Sequence, residues 1–345
     1  MTMWEGAEAS FRMTMWEGAV ASFRMTMWEG AVASFRMTMW RRAALLRMTK
    51  EQLLSKHIGD ETMKLNKQGA EIYIPDNTDV ETALKRTTRM AIAAHQDDIE
   101  IMAYHGILNC FGKEDEWFFG VVVTDGAGSP RDDIYKNYTD EDMKAIRKTE
   151  QKKAAFVGEY SGVAMLYYSS GEVKNPKNQE VVDELAEIIR KARPEILYTH
   201  NFADKHDTHV ATVTKVIKAV RSLPKELRPK KIIGCEVWRN LDWLADDKKV
   251  MMDVSGHQNI AAAVLAVHDS QICGGKRYDL ANQGRRLANA TFSESHGVDQ
   301  YEALSYGMDL TPLALDDSLD VIDYVTGYID EFKKNVEDKI GKLLK

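Results

Sequence analysis

A chain of 345 residues that is 44% hydrophobic and 29% charged has the makeup of a globular protein with a sizeable core. Its net charge of −7 argues against nucleic-acid binding, which needs a concentrated positive surface, and no run approaches the roughly 18 apolar residues of a membrane span. Cys110, Cys235 and Cys273 are odd in number and widely spaced, which fits neither a disulfide framework nor a structural zinc site and suits a reducing cytoplasm.

The chain begins with a repeat: MTMWEGAEASFR (1–12) recurs as MTMWEGAVASFR at 13–24 and 25–36, and MTMW starts again at 37. A period this short matches no known solenoid. Residues 1–47 therefore read as a tandem duplication or an over-long start, a poorly ordered tail with natural initiation near Met48 or Met63. A lead-in segment, 48–87, follows. The domain expected to carry the chemistry spans 88–315, and 316–345 is expected to be a C-terminal amphipathic helix.

Within that domain, apolar runs alternate with helical patterns. Strands are expected at 89–95, 117–124, 163–169, 195–201 and 231–238. Helices are expected at 99–111, 140–160, 178–194 and 208–223. This alternation predicts an α/β fold, a Rossmann-like, mostly parallel, doubly wound sheet flanked by helices. Ligands of such sheets bind beyond the C-terminal strand ends. In the last helix, Val325, Ile329, Phe332, Val336, Ile340 and Leu343 share one face, suited to packing on its own domain or to a subunit contact.

Two polar, histidine-bearing segments fall at strand ends. AAHQDDIE (93–100) follows the first strand and THNFADKHDTH (199–209) the fourth. His95 and Asp98 are three apart across a strand-to-helix turn, and His206 and His209 repeat that spacing. A catalytic metal takes about three protein ligands and leaves a position open. An uncoordinated Asp97 beside it could deprotonate a water whose pKa the metal lowers. Taken separately, Asp97 and Asp98 also suit helix capping, and the two histidines suit a solvated loop. Asp207 or Thr208 could cap the helix after HDTH. Their joint placement on one sheet edge favours a metal site.

These motifs resemble those of the LmbE-like (PIG-L) family of zinc-dependent N-acetylglucosaminyl deacetylases. AHQDDIE stands for the family's AHPDDE, HDTH for its late H-x-D-H, TDGAGS (124–129) for a T-[DN]-G loop, and RKTE (147–150) for an R-x-x-E helix. AVLAVHDSQ (263–271) resembles the helix before the family's final segment. The resemblance implies Zn2+, or another divalent metal, held by His95, Asp98 and His209. It also implies Asp97 as general base, His206 as the group that polarises the carbonyl or protonates the leaving amine, and Arg147 in substrate binding. Three departures stand out: Gln96 replaces a proline, Ile99 displaces Glu100 by one position, and Thr208 replaces an aspartate whose work Asp207 or Asp204 would take over.

The function so implied is removal of an acetyl group from an N-acetylated amino sugar or its glycoside, using a zinc-activated water and releasing acetate. The expected partner is this small-molecule substrate, with neither nucleic acid nor a membrane span, and homo-oligomer formation is left open. Two alternatives remain at this point: a metal hydrolase acting on another amide or ester, and a non-catalytic binding protein for a sugar or nucleotide. His268 and His296 are expected to be structural or exposed. Trp238, Arg239 and Trp243 suit either sugar stacking or packing.

Overall fold

The most continuous apolar runs of the chain become the central strands of one sheet. The computed structural model describes residues 63–345, all within one compact unit, Thr62–Lys345. The repetitive segment 1–47 and residues 48–62 of the lead-in lie outside the described residues. In chain order the elements are β1 (Glu71–Tyr73), α1 (Val80–Lys85), β2 (Arg89–Ala93), α2 (Asp98–Met102), α3 (Tyr104–Cys110) and β3 (Phe118–Thr124). Next come α4 (Asp140–Val157), β4 (Gly162–Tyr168), α5 (Ser170–Lys174), α6 (Glu180–Ala192), β5 (Ile196–His200), α7 (Asp207–Ser222) and β6 (Lys231–Cys235). The chain ends with β7 (Lys249–Asp253), α8 (Gln258–Ala266), α9 (Asp269–Ile272), α10 (Tyr278–Phe292), β8 (Leu304–Asp309), α11 (Thr311–Leu315) and α12 (Val321–Leu343).

The strands pair in the order β1-β4-β3-β2-β5-β6-β8-β7. The five expected strands form the parallel centre, β4-β3-β2-β5-β6. The expectation of a mostly parallel sheet needs correction at both edges. β1 runs antiparallel to β4, and β8 and β7 add two antiparallel strands beyond β6, so the sheet is mixed. The helix expected over 99–111 is also two helices, broken at Ala103.

Alternation along the central strands divides the core into two clusters. Met90 and Ile92 of β2 join one with Phe119, Val121 and Val123 of β3. Ala91, Ala93, Phe118 and Val122 join the other. Strands buried on both faces are apolar at nearly every position, which is why they were readable. α6 shows the complementary helical pattern: Val181, Val182, Leu185, Ile188, Ile189 and Ala192 are buried. The helix stops at Arg193, which adopts a left-handed conformation ahead of Pro194.

Topology fixes where a site can form. From β2 the chain proceeds outward through β3 and β4, then returns to β5 on the other side of β2 and continues to β6. Loops leaving β2 and β5 therefore diverge, and a crevice opens beyond their C-terminal ends, where open α/β sheets bind ligands. Both histidine-bearing segments leave from this point.

Candidate active site

β2 delivers the first half of the site. Asp97 has φ 85°, a positive-φ conformation that is uncommon for a non-glycine residue. The capping explanation for the paired carboxylates does not hold for Asp97. It occupies the N-cap position of α2 but makes no side-chain capping bond; its Oδ2 lies 3.1 Å from Arg147 Nη2 instead. Asp98 turns its Oδ2 back over the chain, accepting the His95 backbone N–H at 2.8 Å.

The second half comes from the segment between β5 and α7. Asp204 organises it: Oδ1 accepts the backbone N–H of Lys205 and His206, and Oδ2 accepts that of Trp238. Asp204 Oδ2 also lies 3.2 Å from His209 Nδ1. Neither Asp207 nor Thr208 is the N-cap of α7, as the sequence suggested. The helix starts at Asp207, with His206 at the cap position making no side-chain bond there. Asp204, and neither Asp207 nor Thr208, is the residue whose carboxylate contacts the His209 ring.

Three side-chain atoms converge between the halves. His95 Nδ1 is 3.1 Å from Asp98 Oδ2 and 3.2 Å from His209 Nε2, and His209 Nε2 is 3.3 Å from the same Asp98 oxygen. A tetrahedral ion with bonds of about 2.0–2.1 Å separates its ligands by about 3.3 Å. This triangle has the dimensions of one face of such a coordination shell. His209 completes the fit, because its Nδ1 proton is engaged by the Asp204 carboxylate, leaving the Nε2 lone pair directed at the other two atoms.

His200 also lies within reach, with Asp98 and His209. It is fully buried, and its ring stacks on His209 with centroids 3.9 Å apart. Its Nε2, however, accepts the Ala94 backbone N–H at 2.9 Å. That lone pair is used, so His200 backs the triad rather than joining it. Sequence reasoning does not single out His200, which falls inside the expected strand 195–201; its position at the C-terminal end of β5 is the available signal.

The electrostatics separate the two aspartates. Burial would raise the Asp98 carboxyl, but His209 and His200 beside it hold it well below the usual range. Burial pushes Asp97 up to about 7, with Arg147 opposing and Asp98 assisting. Burial would lower His209, yet Asp98 and Asp204 raise it to about 9. A site that draws a proton onto a buried histidine between carboxylates is one in which a cation can replace that proton.

Arg147 is itself buried and braces the turn. Beyond Asp97 it donates to the Gln96 carbonyl and to Ser129 Oγ. The Gln96 side chain reaches the Thr124 carbonyl, tying the turn to the loop after β3. In that loop Gly126 has φ +78°, and a Cβ there would lie 2.6 Å from Gln96 Oε1. Ile99 is fully buried and packs where Gly120 of β3 leaves room: a Cβ on Gly120 would meet its Cδ1 at 2.9 Å. Glu100, displaced by that residue, bonds Gln151, Tyr160 and His268 in a buried network. His268 is thus structural, and His296 is exposed.

A cavity of about 310 Å³ opens over the triad, lined by His95, Asp97, Asp98, Arg147 and His206 together with the loop glycines 126 and 128. Trp238 and Tyr278 form an aromatic side of it. The Trp238 ring lies nearly parallel to His206, 6.3 Å between centroids. Arg239 is exposed, and Trp243 packs against the core. No helix among the described residues is long and apolar enough to cross a membrane.

Asp204→Asn is expected to weaken divalent-metal affinity about 10–100-fold, the usual cost of losing an outer hydrogen-bond partner of a ligating histidine. Competition against a chromophoric chelator measures it, with circular dichroism as the check that the fold is retained.

Residues 90–220 match the family model described as PIG-L: GlcNAc-PI de-N-acetylase. The chain is also similar in structure to a conserved protein from Thermus thermophilus, with 15% identity and a TM-score of 0.50 over 68% of this chain and 99% of that one. The N,N'-diacetylchitobiose deacetylase of Pyrococcus horikoshii is similar at 18% identity and a TM-score of 0.50, covering 64% of this chain and 83% of that one. The 4-carboxy-2-hydroxymuconate hydratase of Pseudomonas putida matches equally, at 15% identity and a TM-score of 0.50, over 65% and 95%. At these identities the likeness is one of fold, and that fold carries more than one chemistry. No curated protein matches the sequence.

Proposed function

We propose, from the match of residues 90–220 to the PIG-L family model, that the chain is a metal-dependent N-deacetylase acting on an N-acetylated amino sugar or its glycoside. The observation that carries the reading is the ligand triangle of His95, Asp98 and His209 with Asp97 left out of it, facing the same cavity. Zn2+ or another divalent cation would be held by those three side chains. Bound there, it supplies a Lewis acid able to acidify water and to draw charge from a carbonyl oxygen.

The chain's own groups do the remaining work. Asp97, buried and raised toward neutrality, is suited to take a proton from the attacking water. Arg147 fixes that carboxylate in place and is a positioning residue here, more than the substrate-binding residue the resemblance implies. His206 borders the cavity and has a buried Nδ1 without a partner. Both features support a role for its imidazole in hydrogen bonding to a carbonyl oxygen or a departing amine. Trp238 and Tyr278 offer apolar faces to a sugar ring. The reaction balances as amide plus water giving a free amine and acetate.

A screen of the purified protein for acetate release tests the reading. N-acetylated monosaccharides, disaccharides and glycosides are compared with simple amides and esters. Amino sugars are expected to react fastest. A preference for esters or for amides without a sugar would replace this reading with that of a hydrolase of other substrates.

A further inference from the structure

α12 leaves the domain after its first turns. Val325 is buried, and Tyr324 anchors the helix by donating its hydroxyl to the Asp309 carbonyl. From Ile329 to the end of the chain every residue is exposed. The exposed stretch to Leu343 amounts to about four turns. A helix of that length is marginal in water on its own, and Gly341 in its last turn does not strengthen it.

The exposed stretch nevertheless carries an apolar stripe. Ile329, Phe332, Val336, Ile340 and Leu343 are 45%, 43%, 39%, 53% and 85% exposed. Their spacing, together with that of Ile322 and Val325, confines all seven to an arc of about 80° at the helical repeat. At its N-terminal end the stripe runs into an apolar groove of about 510 Å³ between α7 and α12, bordered by Phe202, Val210, Ile217, Ile322 and Ile329.

Charge along the helix is divided. Residues 320–331 carry Asp320, Asp323, Asp330 and Glu331 and no basic residue. Residues 332–345 carry Lys333, Lys334, Lys339, Lys342 and Lys345 against Glu337 and Asp338. A parallel partner helix of the same sequence would set like charges together. An antiparallel copy sets the acidic half over the basic half.

The same inversion pairs the stripe with itself. Ile322 falls opposite Leu343, Val325 opposite Ile340 and Ile329 opposite Val336, with Phe332 beside the two-fold axis. We propose that α12 is a self-association surface on which a second copy of this chain docks its own α12 antiparallel. The partner's C-terminal leucines then reach the groove between α7 and α12. Such a contact is isologous and closes at two copies.

Sedimentation analysis of the full chain across micromolar concentrations tests this. The expected mass is twice 39.1 kDa. Phe332→Glu combined with Val336→Asp should return a monomer with unchanged far-UV circular dichroism. Orientation is read by oxidising Ile322→Cys and Leu343→Cys chains, each in a Cys273→Ser background. Disulfide-linked dimers are expected in the mixture and not in either chain alone. A monomeric full chain, a dimer that survives the double substitution, or cross-linking within each single variant would overturn the proposal.

Discussion

Asp97→Asn is expected to keep its metal and to lose about 10²–10⁴-fold in kcat/KM, the range for removing a positioned general base. The substitution isolates the proton-accepting role. Asn has nearly the same shape and tolerates positive φ better than most residues, so the φ of 85° is not an obstacle. Its amide oxygen can still accept from Arg147 Nη2, now 3.1 Å from the carboxylate. His95, Asp98 and His209 are untouched, so metal content should match the native protein. Acetate release and metal analysis on the same preparation give both numbers. Turnover within a few-fold of native would show that another group takes the proton.

His209→Ala is expected to have the opposite signature, with metal and turnover lost together. It removes one corner of the ligand triangle, so affinity should fall by more than the ~10–100-fold that an outer partner costs. The fold should survive. Alanine suits the first turn of α7, and Asp204 keeps the backbone N–H groups of Lys205, His206 and Trp238 after losing its histidine. Equilibrium dialysis against Zn2+ measures the loss. A variant that retains metal at native affinity would remove His209 from the ligand set.

Much of this site was legible because its parts sit where apolar runs end. His95, Asp97 and Asp98 follow the apolar run of β2, and His206 and His209 follow that of β5, so strand ends alone brought the two segments together. What sequence could not supply is the wiring across the fold. Arg147 is fifty positions from Asp97 in the chain and bonds it directly. Glu100 and His268 meet 168 positions apart. No local pattern encodes such pairs.

The strands divide in the same way. The five parallel ones are buried on both faces and read as continuous apolar runs. The three antiparallel ones were missed for separate reasons. Glu71–Tyr73 is three residues long and half-buried, and Lys249–Asp253 is an edge strand with two exposed positions. Leu304–Asp309 is buried, but Ser305 and Gly307 interrupt its apolar run. Gly307 is there because β8 approaches β6 so closely that a Cβ would lie 2.4 Å from Ile233 Cγ2. The exposed half of α12 has the pattern of a core-packing helix. Periodicity says that a face will be covered and does not say by what.

If His95, Asp98 and His209 hold one catalytic cation over which an acetamide is hydrolysed, activity must follow bound metal. Stripping the native protein with a chelator, then adding Zn2+ back in steps while following acetate release from the best N-acetylated sugar, tests it most directly. Activity is expected to be absent in the stripped protein, to rise in proportion to bound metal and to level off near one ion per chain. Full acetate release from metal-free protein, or none from the fully loaded protein, would contradict the account.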